Sequence, residues 1–117
     1  MIVVDSNVWI AFLHKNDNQH EKAQTLLTKC EKPIIMPEYV LIEVATVLTQ
    51  KAGKKIADEF LAMSMESKDI EILFVQDQFF LAVADFFRKC PGKKLSFIDM
   101  ALLYISQWYH VATFDNC

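Results

Sequence analysis

Glycine and proline are scarce in this chain, at two and three residues in 117. So little loop-forming material excludes long linkers and favours one domain over residues 1–117. Cysteine is also scarce. Cys30, Cys90 and Cys117 are widely spaced and form no Cys-x-x-Cys pair, which excludes zinc-knuckle and dithiol redox spacing. An odd cysteine count in a chain with material for a core fits a reducing, cytoplasmic setting. His14, His20 and His110 have no metal-ligand spacing and read as ordinary histidines. No basic segment or cleavage site of a secretory leader is visible at the start. No stretch reaches the roughly 18 apolar residues of a membrane span. The nearest, Met100 to Phe114, is broken by Ser106, Gln107 and His110. The expectation is a soluble protein with no membrane contact. A basic excess is missing as well. The formal charge of −3 offers no broad basic surface for nucleic acid, although bound divalent cations can offset a local acidic site.

What the chain does have is apolar residues, 53% of the total, in runs that alternate between strand and helix periodicity. Met1 to Val4 is a short, β-branched run that reads as a buried strand. Asp5, Ser6 and Asn7 follow at once, and Val8 to Leu13 then reads as a helix. His20 to Cys30 is a helix with Ala23, Leu26, Leu27 and Cys30 on one side. Pro33 to Met36 is a second strand, and Pro37 suits the first position of the next helix, where its missing N–H would be unpaired anyway. That helix, Glu38 to Lys51, is apolar through its middle except for Glu43. Beyond Gly53, Lys54 to Ser67 is helical, Ile70 to Val75 is a strand and Gln76 to Cys90 is a helix. The stripe of Phe79, Phe80, Val83, Phe86 and Phe87 in that last helix reads as core. After Pro91-Gly92, a helix is expected from Leu95 to about Tyr109 and a strand over His110 to Phe114. Strands alternating with helices imply an α/β domain whose parallel sheet is covered on both faces.

Four acids stand out by position. Asp5 and Asp115 each end an apolar strand, and Glu43 and Asp99 each lie in an apolar helix near a strand end or turn. Asp5 alone reads equally well as a helix cap. Ser96-x-x-Asp99 has the spacing of a capping box. Glu43 is harder to explain locally, because a carboxylate among apolar neighbours is costly unless paired, protonated or bound to a cation. Parallel α/β topology brings strand ends and the following helix starts to one edge of the sheet. Carboxylates meeting there without His or Cys suggest a hard divalent metal, Mg²⁺ or Mn²⁺. Such a metal can activate water and steady the charge of a phosphodiester.

These residues resemble a PIN domain, and in particular a VapC-type toxin of a toxin–antitoxin pair. The resemblance rests on Val3-Val4-Asp5-Ser6-Asn7-Val8, Pro37-Glu38-Tyr39-Val40-Leu41-Ile42-Glu43-Val44, Leu95-Ser96-Phe97-Ile98-Asp99 and Ala112-Thr113-Phe114-Asp115. It implies a three-layer α/β/α fold with a parallel sheet of four or five strands and a metal-dependent endoribonuclease activity. Asp5, Glu43, Asp99 and Asp115 would be the catalytic acids and would hold one or two Mg²⁺ or Mn²⁺ ions. Ser6, Asn7, Ser96 and Thr113 would orient carboxylates or water, with local capping as the plainer account of each. The implied partners are RNA and a small antitoxin protein, and self-association as a homodimer is expected. Such chains usually continue into another strand past the last acid. This one stops at Cys117, so the sheet is expected to lack an edge strand or to have that edge covered.

Lys51, Lys54 and Lys55 cluster at one turn, and Arg88, Lys89, Lys93 and Lys94 precede Asp99. They are candidate phosphate contacts, though solvated surface at turns is the simpler account of them. Two other readings remain at this stage. A haloacid-dehalogenase-type phosphohydrolase would use Asp5 as nucleophile, but its second Asp is replaced by Asn7. A catalytically degenerate PIN-like module would bind protein or RNA without chemistry.

Overall fold

The computed structural model describes residues 2–90 and 96–114. The β-branched run forms β1 (Ile2–Val4), which leads through Asp5 into α1 (Ser6–Leu13) and then α2 (His20–Lys29). A second apolar run forms β2 (Ile34–Pro37), followed by α3 (Glu38–Lys51) and α4 (Lys54–Glu66). The third unit is β3 (Ile70–Leu73) with α5 (Asp77–Lys89) and α6 (Phe97–Ile105), and β4 (His110–Ala112) comes last.

All three strand pairings are parallel, in the order β3-β2-β1-β4. Val3 stands opposite Ile35 on one side and Val111 on the other. Parallel neighbours need crossovers, and each of the three here is a pair of helices. The chain steps from β1 to β2 to β3 in one direction, then crosses to the far side of β1 for β4. Crossovers of uniform hand therefore put α1–α4 on one face and α5–α6 on the other. This is the expected α/β architecture with four strands, and no fifth is present among the described residues.

The core lies mainly between the sheet and α1, α3 and α4. Val3, Val4, Ile35 and Met36 from the central strands meet Val8 and Trp9 of α1, Val40, Val44 and Leu48 of α3, and Phe60 of α4. Val40, Val44 and Leu48 recur every fourth residue, so one stripe of α3 is fully covered. On the other face Val83, Met100, Ala101, Leu102 and Ile105 are buried.

Several boundaries differ from the sequence reading. Pro37 is the last residue of β2 and the N-cap of α3, not its first helical residue, since its ψ of 143° is extended. β3 stops at Leu73, and the Val75 N–H leaves the sheet to donate to the Glu38 carboxylate at 2.9 Å. α6 ends at Ile105, and a turn brings the chain back into β4. The aromatic stripe of α5 is only partly core. Phe80 is 50% and Phe87 41% exposed, and both pack against Phe97, itself at the surface. A stripe two residues wide exceeds what a layer of two helices can cover. Among the described residues no helix is long and apolar enough to cross a membrane.

Phe60 is fully buried with its ring 6.0 Å from that of Trp9. Phe60→Ala is expected to lower the unfolding free energy by about 3–5 kcal/mol, read as a fall in urea midpoint at unchanged slope.

Candidate functional site

The change of direction beside β1 leaves a crevice at the carboxyl ends of β1 and β4, where open parallel sheets bind ligands. Asp5 lies there. Its backbone N–H continues the β1–β4 ladder by donating to the Ala112 carbonyl at 2.9 Å. Its side chain is buried, and burial of a carboxylate is tolerated only where donors replace water. Oδ1 accepts from the Ser6 N–H at 2.6 Å and from the Ser6 hydroxyl at 3.3 Å. Oδ2 accepts from the Thr113 hydroxyl at 2.8 Å. Asp5 is thus the N-cap of α1 and at the same time a bridge to the end of β4.

Asn7 completes that bridge. Its Nδ2 donates to the Thr113 hydroxyl at 3.1 Å, and its Oδ1 accepts from the Phe114 N–H at 3.3 Å. Two segments more than a hundred residues apart are therefore joined by side chains of Asp5, Asn7 and Thr113. Ser6, Asn7 and Thr113 stand together as polar neighbours of Asp5.

Glu43 enters from α3, which packs beside α1. The residue is half-buried, and its Oε2 is sealed from solvent with no hydrogen-bond partner among the described residues. One turn earlier, the Tyr39 hydroxyl is in the same condition. Burial, and after it the negative charge of Asp5, pushes the Tyr39 phenol above its ordinary range, so it stays protonated at neutral pH. That influence puts Asp5 within electrostatic reach of Tyr39. The Tyr39 ring lies parallel to Phe79 of α5, with centroids 6.3 Å apart.

Asp99 is half-buried and forms the capping box of α6. Its N–H donates to Ser96 Oγ, and its Oδ2 accepts from the Ser96 N–H, both at 3.1 Å. Among the described residues, no three His, Cys, Asp or Glu side chains stand close enough to share an ion. The expected meeting of Asp5, Glu43 and Asp99 on one cation is therefore not seen among the described residues, and Asp99 Oδ2 is engaged with the Ser96 N–H. Asp115, Lys93 and Lys94 lie outside the described residues.

Asp5 and Glu43 still suit a hard cation. Their donors are all oxygen, and Glu43 Oε2 is a buried acceptor with no donor. Mg²⁺ is commonly held by one or two carboxylates with water completing its shell.

The basic candidates are more remote. Lys51 is two helical turns beyond Glu43, roughly 12 Å along the axis, and Lys54 and Lys55 start α4 beyond it. Lys89 pairs with Asp85 at 3.0 Å on exposed surface. The sequence reading missed two groups. Lys22 of α2 places its ammonium 5.0 Å from the Phe114 ring centroid, beside the end of β4. Tyr39 lies in a helix that reads as apolar around Glu43, although its position one turn before Glu43 is a usable signal.

The PIN domain family model matches residues 2–116. No curated protein matches the sequence. The fold matches that of Mycobacterium tuberculosis VapC20, described as a sarcin–ricin loop cleaving toxin, with a TM-score of 0.89. Sequence identity is 20%, over 99% of this chain and 91% of that one, so the likeness is one of fold.

Thr113→Val keeps the side-chain shape but removes a donor to a buried carboxylate. It is expected to cost roughly 1–3 kcal/mol of stability by chemical denaturation.

Proposed function

Because the chain belongs to the PIN domain family, we propose that it is an endoribonuclease. It hydrolyses RNA phosphodiesters with the help of Mg²⁺ or Mn²⁺ and serves as the toxin of a toxin–antitoxin pair in the cytoplasm. The observation that carries this reading is a buried Glu43 oxygen with no hydrogen-bond partner among the described residues, on the helix that packs beside the one capped by the buried Asp5 at the carboxyl end of a parallel sheet.

In this reading Asp5 and Glu43 hold the cation, with Asp99 and Asp115 as further acids. A bound cation would lower the pKa of a coordinated water and offset phosphodiester charge. The chain's own residues do the rest. Ser6 and Thr113 hold the Asp5 carboxylate in one orientation, and Asn7 fixes Thr113 in turn. Such supporting hydrogen bonds keep a carboxylate aimed while its occupant changes. Glu43 Oε2 has a free lone pair with which to accept a hydrogen bond from the attacking water. Ser96 orients Asp99 at the start of α6. Lys22 beside Phe114, and more distantly Lys51, Lys54 and Lys55, supply positive charge for the RNA backbone. The antitoxin, and a second copy in a homodimer, would cover exposed apolar surface such as Phe80, Leu81 and Phe87.

A second reading, a binding module without chemistry, is favoured by one observation: no three-acid cluster is assembled among the described residues. The phosphohydrolase reading loses support, because Asn7 is engaged with Thr113 and the Phe114 N–H.

The deciding experiment is cleavage of structured and unstructured RNA by the purified protein with Mn²⁺, with Mg²⁺ and with chelator, beside Asp5→Asn. Cleavage that requires metal and disappears in Asp5→Asn establishes the nuclease. A folded protein that leaves every RNA intact, yet binds a partner tightly, favours the module. Asp99→Asn is expected to lose cleavage while keeping its fold; full activity there would make Asp99 a capping residue only. Glu43→Gln is expected to lose cleavage with an equal or higher urea midpoint, since it removes the charge from a half-buried carboxylate with one oxygen sealed and unpaired.

A further inference from the structure

Buried polar atoms in folded proteins are nearly always hydrogen-bonded, so each exception calls for an explanation. Three stand out among the described residues: Trp9 Nε1, the Tyr39 hydroxyl and Glu43 Oε2. Trp9 packs against Phe12 and Phe60, with ring centroids 6.5 and 6.0 Å away, and belongs to the core. The other two belong together. Tyr39 and Glu43 are four residues apart on α3, so their side chains are neighbours on one face. Side chains on a helix lean toward its N-terminus, which carries Glu43 toward Tyr39 and Tyr39 toward the end of β2. That direction is also toward the edge of the sheet where Asp5 lies.

A phenol donates and a carboxylate accepts, yet these two make no bond to each other. The group that satisfies both must accept from the hydroxyl and donate to the carboxylate, which a water molecule does. We propose that the Tyr39 hydroxyl is a positioning residue of this site, hydrogen-bonding a water that Glu43 also holds in the hydration shell of the cation beside Asp5. The inference rests on the metal-dependent reading given above and adds a residue to it.

Two further features suit that role. A phenol is protonated at neutral pH, so it donates a hydrogen bond instead of competing as an anionic ligand. The ring is held by packing as well. It lies parallel to Phe79, which in turn meets Tyr104 edge-on with centroids 5.7 Å apart. A hydroxyl on a clamped ring holds a water at low cost in side-chain entropy.

The test is Tyr39→Phe, which keeps the ring and its stacking and removes only the oxygen. Mn²⁺ binding is measured by calorimetry on both proteins without RNA, with urea unfolding in the absence of metal and steady-state RNA cleavage in its presence. The expected result is an unchanged or higher urea midpoint, a Mn²⁺ dissociation constant raised about 10-fold, and a lower kcat at unchanged KM. A tyrosine with a merely structural role would lower the urea midpoint and leave Mn²⁺ affinity alone. Equal Mn²⁺ affinity in the two proteins therefore overturns the assignment while leaving the nuclease reading standing. A raised KM at unchanged kcat also overturns it, by making Tyr39 an RNA contact. If the wild-type protein itself does not bind Mn²⁺, the metal-dependent reading fails and the inference goes with it. A cycle with Glu43→Gln adds a second check. A shared water makes the two losses of Mn²⁺ affinity less than additive, and independent losses contradict the bridge.

Discussion

Asp5 can stay buried as a carboxylate because donors from both ends of the chain replace its lost water. Ser6 supplies two from the start of α1, and Thr113 supplies one from beyond β4. The cost of an unpaired buried charge is high enough to make this arrangement a constraint on the whole fold. The β1–α1 turn must cap its helix with Asp5, β4 must sit beside β1 and not at the far edge, and Thr113 must follow β4 directly. The strand order β3-β2-β1-β4 satisfies the second condition, the Asp5 cap of α1 the first, and the end of β4 at Ala112 the third. The crevice next to β1 is thus both where the topology reverses and where the polar network lies.

Helix α3 shows a conflict between stability and chemistry. Val40, Val44 and Leu48 anchor it in the core, and a helix built for packing alone would have apolar residues at the neighbouring covered positions as well. It carries Tyr39 and Glu43 there instead, each with a sealed polar atom that no group among the described residues satisfies. Local departures of this kind from consistent design are concentrated at functional sites, where stability is sacrificed for chemistry. Asp99 is the counterexample. Its Oδ2 is engaged in the capping box, so its position by itself argues as strongly for local structure as for function.

The α5–α6 layer has too few neighbours for its apolar content. Phe79 is drawn inward by Tyr39 and Tyr104, whereas Phe80, Phe87 and Phe97 associate at the surface. The sequence pattern of α5 records a helical apolar face but not how wide a surface will be available to cover it. A face meeting a sheet and several helices is buried; the same face in a two-helix layer remains partly open. A protein partner is the economical way to cover such a surface.

The sequence by itself determined the alternation of strands and helices, the parallel α/β class and the positions of the acids, because period, breakers and charge are local properties of the chain. It also determined Ser96 and Asp99 as a capping box, since that motif lies within one turn of helix. Only the tertiary structure decided that Thr113 reaches Asp5, that Asn7 reaches Phe114, and that Asp99 does not join Asp5 and Glu43 in a three-acid cluster. Those outcomes depend on strand order and helix packing, which bring together residues about a hundred positions apart. Tyr39 marks the boundary between the two. Its place one turn before Glu43 is written in the sequence, but the stacking of its ring on Phe79 and the influence of the Asp5 charge on its hydroxyl come from other elements.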